Sequence, residues 1–360
     1  MSFVFSCDAH IQEPRTLFSE AMPARLAAFI PNARRDDRTL EFRIGDRIVH
    51  KVSLGEGGVG RDPRGHSDLT ARLSDMEKDG IDAELLFPSL GLLVYFIEDP
   101  EAEMFAARTY NDWLIAETAN RRDIYVPSAI LPARDLSNTL EKLHRIAAHG
   151  YTAAMLPVAS PGEVPPYNDP RWDPVFAAAA ALGVVFTMHT GSGLTKWVFE
   201  RGPGAAIINY THQMNDAINA AMYLVSGGVL DRNPDTTVVF VESGASWLAG
   251  VSERMDEVHD AHNFYVRPQL ARMPSQIIRD QIKCTFQYDR ACVLSRVVTG
   301  HEALMWGADY PHTEGTWPNS QKVLQDLFAD VDISDREKHD IIGGTAARLF
   351  RLQRDIPSVG

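Results

Sequence analysis

Apolar residues fall along this chain in short runs separated by longer stretches of helical spacing. The runs near 3–7, 82–87, 125–131, 152–157, 184–189, 237–242, 283–288 and 304–308 are rich in apolar, often β-branched residues, and they read as buried strands. Among the stretches between and after them, 100–120, 135–149, 171–182, 207–226, 245–263, 319–329 and 335–350 read as helices; Phe105, Tyr110 and Trp113 are among the apolar positions of the first. Eight strands alternating with helices predict a parallel α/β architecture, and a closed (β/α)8 TIM barrel suits that count better than an open sheet. Residues 31–75, rich in Arg, Asp and Gly and containing a possible hairpin in "TLEFRIGDRIVHKV", read as an insertion after the first strand, so that 1–360 form a single barrel domain.

The open-sheet alternative would need a phosphate loop. "GEGGVG" at 55–60 satisfies G-x-G-x-x-G by its letters, yet it does not open a helix after a strand, and Arg61-Asp62-Pro63 follows it. It reads as a flexible loop. A formal net charge of −13 without a Lys/Arg cluster argues against nucleic acid and anionic membranes as partners. With 45% hydrophobic residues, no signal-peptide pattern and no apolar run of membrane-spanning length, a cytoplasmic protein is expected. Cys7, Cys284 and Cys292 form no C-x-x-C, so neither a disulfide frame nor a thiolate zinc site is expected. "NYT" at 209–211 matches a glycosylation sequon, which means nothing without a signal peptide.

Barrel enzymes gather their chemistry at the C-terminal ends of the strands. In this chain those ends carry metal-ligand types. The first strand runs into "SCDAHIQEP", where Asp8 and His10, two apart, point the same way and Glu13 follows before Pro14. The fifth ends at His189, the sixth at Glu242, and the eighth at Asp309 with His312 just beyond. A chance distribution would scatter such residues along strands and helices. Glu13 has the alternative of capping the strand end, His212 at the start of the following helix that of packing, and His312 that of orienting Asp309. His259 and His262, three apart in "ERMDEVHDAH", read as a charged surface face. His50, His66, His144, His149, His301 and His339 read as lying in loops or solvated helices.

The "DAH" opening, "HTGSG" after strand five, "GADYPHTEGTWPNS" after strand eight, "YNDWL" at 110–114 and the closing "GGTAARLF" resemble the amidohydrolase-related branch of the amidohydrolase superfamily, which includes aminocarboxymuconate semialdehyde decarboxylase. The resemblance implies two ligands from the first strand, a His from the fifth and an Asp from the eighth, the places held by Asp8, His10, His189 and Asp309. Asp8 stands where that decarboxylase has a His, as a carboxylate does in resorcylate-type relatives. Glu242 stands where it has a His assigned as base. Strand four, "TAAMLPVAS", lacks the lysine that binuclear hydrolases carbamylate. A homodimer or related oligomer is also implied.

His and carboxylate donors without thiolate suit Zn, Mn or Fe, and the carboxylate-rich set leans to the harder Mn and Fe. The expected metal set is Asp8, His10, Glu13, His189, His212, Glu242 and Asp309, with Asp309, Glu242 and His312 as catalytic groups around one or two divalent ions. The expected function is a hydrolase or decarboxylase acting on a small organic acid or amide through metal-activated water. The surplus of ligands makes a dinuclear Mn/Fe oxygenase of a small amine or aromatic compound the alternative. Tyr95, Phe96, Trp197, Phe199, Tyr288 and Trp317, in or near loops of the same face, either contact an aromatic substrate part or pack lids.

Overall fold

The computed structural model of the protein describes residues 3–53, 63–162, 164–192 and 200–356. "GEGGVG", Trp197 and Phe199 lie outside the described residues. Eleven strands are present among the described residues: β1 (Phe5–Ile11), β2 (Pro31–Arg35), β3 (Thr39–Ile44), β4 (Arg47–Ser53), β5 (Ala83–Pro88), β6 (Tyr125–Ile130), β7 (Ala153–Met155), β8 (Val185–His189), β9 (Val238–Val241), β10 (Ile282–Phe286) and β11 (Leu304–Trp306). Eight of them pair in parallel in the order β1-β5-β6-β7-β8-β9-β10-β11. The first and last strands meet through the bridge Ala9–Tyr310, with His10 N donating to Tyr310 O at 2.7 Å and Asp309 N to Asp8 O at 2.8 Å. This is the expected (β/α)8 barrel.

Every residue of the eight barrel strands is buried, because helices cover the outside and side chains fill the inside. That is why these strands read as nearly unbroken apolar runs rather than alternating ones. The interior nevertheless carries a polar layer. Ser128 Oγ lies 3.0 Å from Thr187 Oγ1, Ser6 Oγ accepts from Ala308 N at 2.8 Å, and Thr285 Oγ1 accepts from Glu242 N at 2.9 Å.

The hairpin read in the insertion is present as β3 and β4, and β2 joins them in a separate three-stranded antiparallel sheet. This sheet packs against Leu90–Phe96, the segment that follows the C-terminal end of β5. The insertion does not extend to 75. Helix Leu69–Asp79 runs through that boundary as the first barrel helix, with Asp68 Oδ1 accepting from Thr70 N and Ala71 N at its start. The helix expected over 335–350 is also broken: Asp335–His339 and Thr345–Leu349 are helical, and the turn between them departs from helical geometry at Gly343. Among the described residues no helix is long and apolar enough to cross a membrane.

Candidate metal centre

β1 continues to Ile11, so Asp8 and His10 are inside the strand and their shared face points into the barrel. His10 Nδ1 lies 2.9 Å from Pro88 O at the end of β5, and His189 Nδ1 lies 2.7 Å from Thr190 O just past β8. With those carbonyls accepting from Nδ1–H, each ring turns Nε2 inward, the arrangement that orients ligating histidines. The two Nε2 atoms stand 3.2 Å apart. Asp8 Oδ1 is 3.7 Å from the first and 3.5 Å from the second. Two nitrogen lone pairs facing each other beside a carboxylate, all fully buried, call for a cation among them.

The opposite side is built by β9 and β11. Asp309 Oδ1 lies 3.7 Å from His10 Nε2 and 2.8 Å from His312 Nδ1, while Glu242 Oε2 lies 3.6 Å from His189 Nε2. Glu242 and Asp309 adopt φ values of 58° and 53°, a left-handed conformation that is costly for side chains larger than glycine and recurs at functional sites. Close approach of β11 to β1 depends on Gly307, where an added Cβ would stand 2.6 Å from Asp8 Cβ. Both oxygens of Asp8 and Oδ2 of Asp309 are buried with no hydrogen-bond partner among the described residues, and the close contact of Asp309 Oδ1 is the His312 ring. Unpartnered buried carboxylates are rare, and metal coordination is one way of satisfying them.

The electrostatics carry the same demand. Burial, with His312 and His189 adding to it, pushes His10 well below its usual range. Burial works against a charged His189, but Asp8 and then Glu242 outweigh it and raise the pKa. Burial and then the Asp309 charge push the Glu242 carboxyl well up, and burial followed by Asp8 and Glu314 does the same to Asp309. A divalent cation would relieve this mutual repulsion. Two overlapping donor groups result, Asp8–His10–His189 and His10–Glu242–Asp309–His312. These residues fit one hard or borderline divalent ion.

The sequence pattern of the family described as Amidohydrolase matches residues 7–352. The chain belongs to the amidohydrolase family. The chain is 27% identical over 290 residues to the gamma-resorcylate decarboxylase of Rhizobium sp. (strain MTP-10005), covering 78% of this chain and 86% of that one. Its fold is similar to that of an amidohydrolase from Mycobacterium avium subsp. paratuberculosis K-10, with a TM-score of 0.77 at 19% identity over 97% of this chain and 99% of the other. It is also similar to a dihydroxybenzoic acid decarboxylase from Polaromonas sp. JS666 solved with bound manganese, with a TM-score of 0.65 at 19% identity over 99% and 98% of the two chains.

Not every residue expected in the metal set joins these donor groups. Glu13 is buried, but its oxygens accept from Leu90 N at 2.9 Å and Gly91 N at 2.8 Å, and it belongs to neither donor group. Its role is to pin the segment after β5 to the end of β1. Burial raises its pKa to about 7 against the pull of these backbone bonds. Glu13→Gln should therefore lower stability by about 1–3 kcal/mol, as one backbone N–H loses its acceptor, while metal content stays at the wild-type level. Thermal unfolding and metal analysis of the same preparation check both halves. His212 is exposed on helix Ala205–Ser226, lies 3.1 Å from Asn215 Nδ2 through Nδ1, and is likewise in neither group. The helix begins at Ala205, so His212 lies about two turns into it rather than at its start, and its ring does not join the ligands.

Other residues surround the donor groups without a sequence signal. His66, read as lying in a loop or solvated helix, lies 3.0 Å from Ser89 Oγ through Nε2, and its charge acts on His10. Phe87 packs edge-on to His189 at 4.9 Å. Tyr210, 63% exposed, has its phenol raised by partial burial and then by the charges of Glu314, Glu242 and Asp309. Of the aromatics named from sequence, Tyr95 is core, donating to Met155 O at 2.6 Å, and Trp317 packs against Tyr310. Tyr288 is exposed on the catalytic side and donates to Gly315 O at 3.3 Å. A third donor group, His301, Glu302 and Asp340, lies ahead of β11 rather than at its C-terminal end, and Asp340 is taken by Arg348 at 2.7 Å.

Proposed function

We propose that this chain is a one-metal enzyme that decarboxylates a small hydroxylated aromatic acid, with Asp8, His10, His189 and Asp309 as ligands and Glu242 and His312 as proton-handling groups. The observation that carries the reading is the buried pair of His Nε2 atoms 3.2 Å apart, with Asp8 Oδ1, Asp309 Oδ1 and Glu242 Oε2 each within 3.7 Å of one of them and both Asp8 oxygens without a hydrogen-bond partner among the described residues. The curated relative is a decarboxylase of such an acid. A divalent ion bound there polarises an oxygen-bearing group of the substrate and lowers the pKa of bound water.

The protein's own groups do the rest. His10 and His189 are held by backbone carbonyls and present fixed nitrogens. Glu242, with a side chain 17% exposed and Oε2 3.6 Å from His189 Nε2, is the carboxyl group of the site best placed to exchange a proton with a bound substrate. His312, 35% exposed and 2.8 Å from Asp309, connects that carboxylate to solvent. Glu242 in place of the histidine base implied by the resemblance favours a second reading, hydrolysis of a small amide or ester, because a carboxylate can equally accept a proton from attacking water. The dinuclear oxygenase expectation finds no support in this geometry. The two donor groups share His10, whose one inward nitrogen serves one ion, and Glu13 and His212 are not there to complete a second site.

The test is metal analysis on protein purified without added metal, followed by reloading with Mn and assay for CO2 release from gamma-resorcylate and related hydroxybenzoates and for hydrolysis of aryl amides and esters. About one ion per chain and metal-dependent CO2 release are expected. Release of amine or alcohol without CO2 would decide for hydrolysis. Failure to bind metal would overturn both readings.

A further inference from the structure

Asp8 and His10 stand on β1, and Asp309 stands just beyond β11, so the metal site straddles the seam at which the barrel closes. Hydrogen bonding across this seam is sparse. After His10 N has donated to Tyr310 O, the next residue is Pro311, which has no N–H to continue the ladder, and His312 N turns back to Asp309 O at 2.9 Å. The carbonyl of His10 is satisfied instead by a side chain, since Arg72 Nη1 donates to His10 O at 2.6 Å.

Arg72 comes from helix Leu69–Asp79 and is fully buried. Its Nε donates to Glu84 Oε2 at 2.5 Å, and the guanidinium lies 4.4 Å below the centre of the Tyr310 ring. The Tyr310 hydroxyl in turn donates to Asp75 Oδ2 at 2.7 Å, one helical turn from Arg72. Gly65 closes the remaining side, because a Cβ there would stand 2.5 Å from the Tyr310 hydroxyl and 2.8 Å from Arg72 Cα. One guanidinium therefore touches the backbone of His10 and the ring of the residue after Asp309, while Glu84 fixes its own position.

We infer that Arg72 is a positioning residue for the metal centre, setting the spacing between the β1 ligands and Asp309 by bridging the His10 carbonyl and the Tyr310 ring. The inference rests on the reading of His10 and Asp309 as metal ligands. Lysine cannot replace arginine here: an ammonium can pair with Glu84 but has no planar fork to reach His10 O at the same time and no flat face for Tyr310. A residue that only filled the core would affect folding and leave metal binding alone.

The experiment is titration of the metal-free chain with Mn2+, reading free ion by its electron paramagnetic resonance signal and the bound ion by its line shape, for the wild type, Arg72→Lys, Tyr310→Leu and Glu84→Gln. Arg72→Lys should bind Mn2+ about 10- to 100-fold more weakly, the range found when groups supporting metal ligands are removed, with an altered line shape. Tyr310→Leu, which leaves Arg72 and its backbone bond in place, should weaken binding by about tenfold. Glu84→Gln keeps an oxygen for Arg72 Nε, so its melting temperature should fall while its affinity stays within about threefold of the wild type. Wild-type affinity in a folded Arg72→Lys overturns the inference; if Arg72→Lys does not fold, wild-type affinity in Tyr310→Leu overturns it. Equal weakening in Glu84→Gln and Arg72→Lys also overturns it, by showing general loosening of the core. A wild-type chain that binds no Mn2+ would instead overturn the metal reading itself.

Discussion

His189→Ala should leave the purified protein with little bound divalent metal and lower its turnover by about a thousandfold, equivalent to about 4 kcal/mol of lost transition-state stabilisation. His189 supplies one of the two inward nitrogens, and its ring is fixed by the Thr190 carbonyl and the edge of Phe87, so no neighbour can swing in to replace it. Alanine would also leave Asp8 and Glu242 without the group 3.5 and 3.6 Å away that partly balances them. The remaining carboxylates would repel each other more strongly, and the loss would exceed that of one coordinate bond. Metal content by elemental analysis and turnover at saturating Mn check the expectation. A His189→Ala protein that keeps a full complement of metal would place the ion elsewhere.

The metal-free protein should lose stability as pH rises above about 6.5, and divalent metal should abolish that loss. The carboxyls of Glu242 and Asp309 have pKa values raised well above the unfolded values of 4.5 and 3.8, so the folded state holds more protons than the unfolded one as these groups titrate. Stability then falls as pH climbs through their folded values. His189, raised above 6.5, acts in the same direction, and Glu13 adds its part between 4.5 and about 7. His10 opposes them: its pKa is lowered from 6.5, so its contribution grows as pH rises, but only up to about 6.5. Above that point the opposing contribution from the site is exhausted. Bound metal replaces the protons, and at a hundredfold excess over Kd it should add about 2.7 kcal/mol. Thermal unfolding of apo and Mn-loaded protein from pH 6.5 to 8.5 reads this directly. A flat or rising apo profile would count against the buried carboxylate cluster.

The alternation of apolar runs and helical stretches was enough to foresee the barrel, because strands covered on both faces must be apolar along their whole length and helices packed on one face must be periodic. The same alternation located the ends of the strands, and with them Asp8, His10, His189, Glu242 and Asp309, since side-chain direction along a strand and the position of a strand's end are local properties. Glu13 and His212 had equally suitable chemistry and adjacent positions, yet only the packed structure showed one carboxylate committed to the amides of Leu90 and Gly91 and the other ring left at the surface. Arg72 shows the same limit from the other side. Nothing in "LTARLSDMEKD" distinguishes it from a surface arginine. Its place under Tyr310 and against the carbonyl of His10 depends on how helix Leu69–Asp79 settles over a seam made by residues about 60 and 240 positions away. Local sequence determines which way a side chain leaves its strand, whereas the partner it meets there is decided by the docking of elements far apart in the chain, because hydrogen-bond satisfaction and charge pairing are properties of the assembled interior.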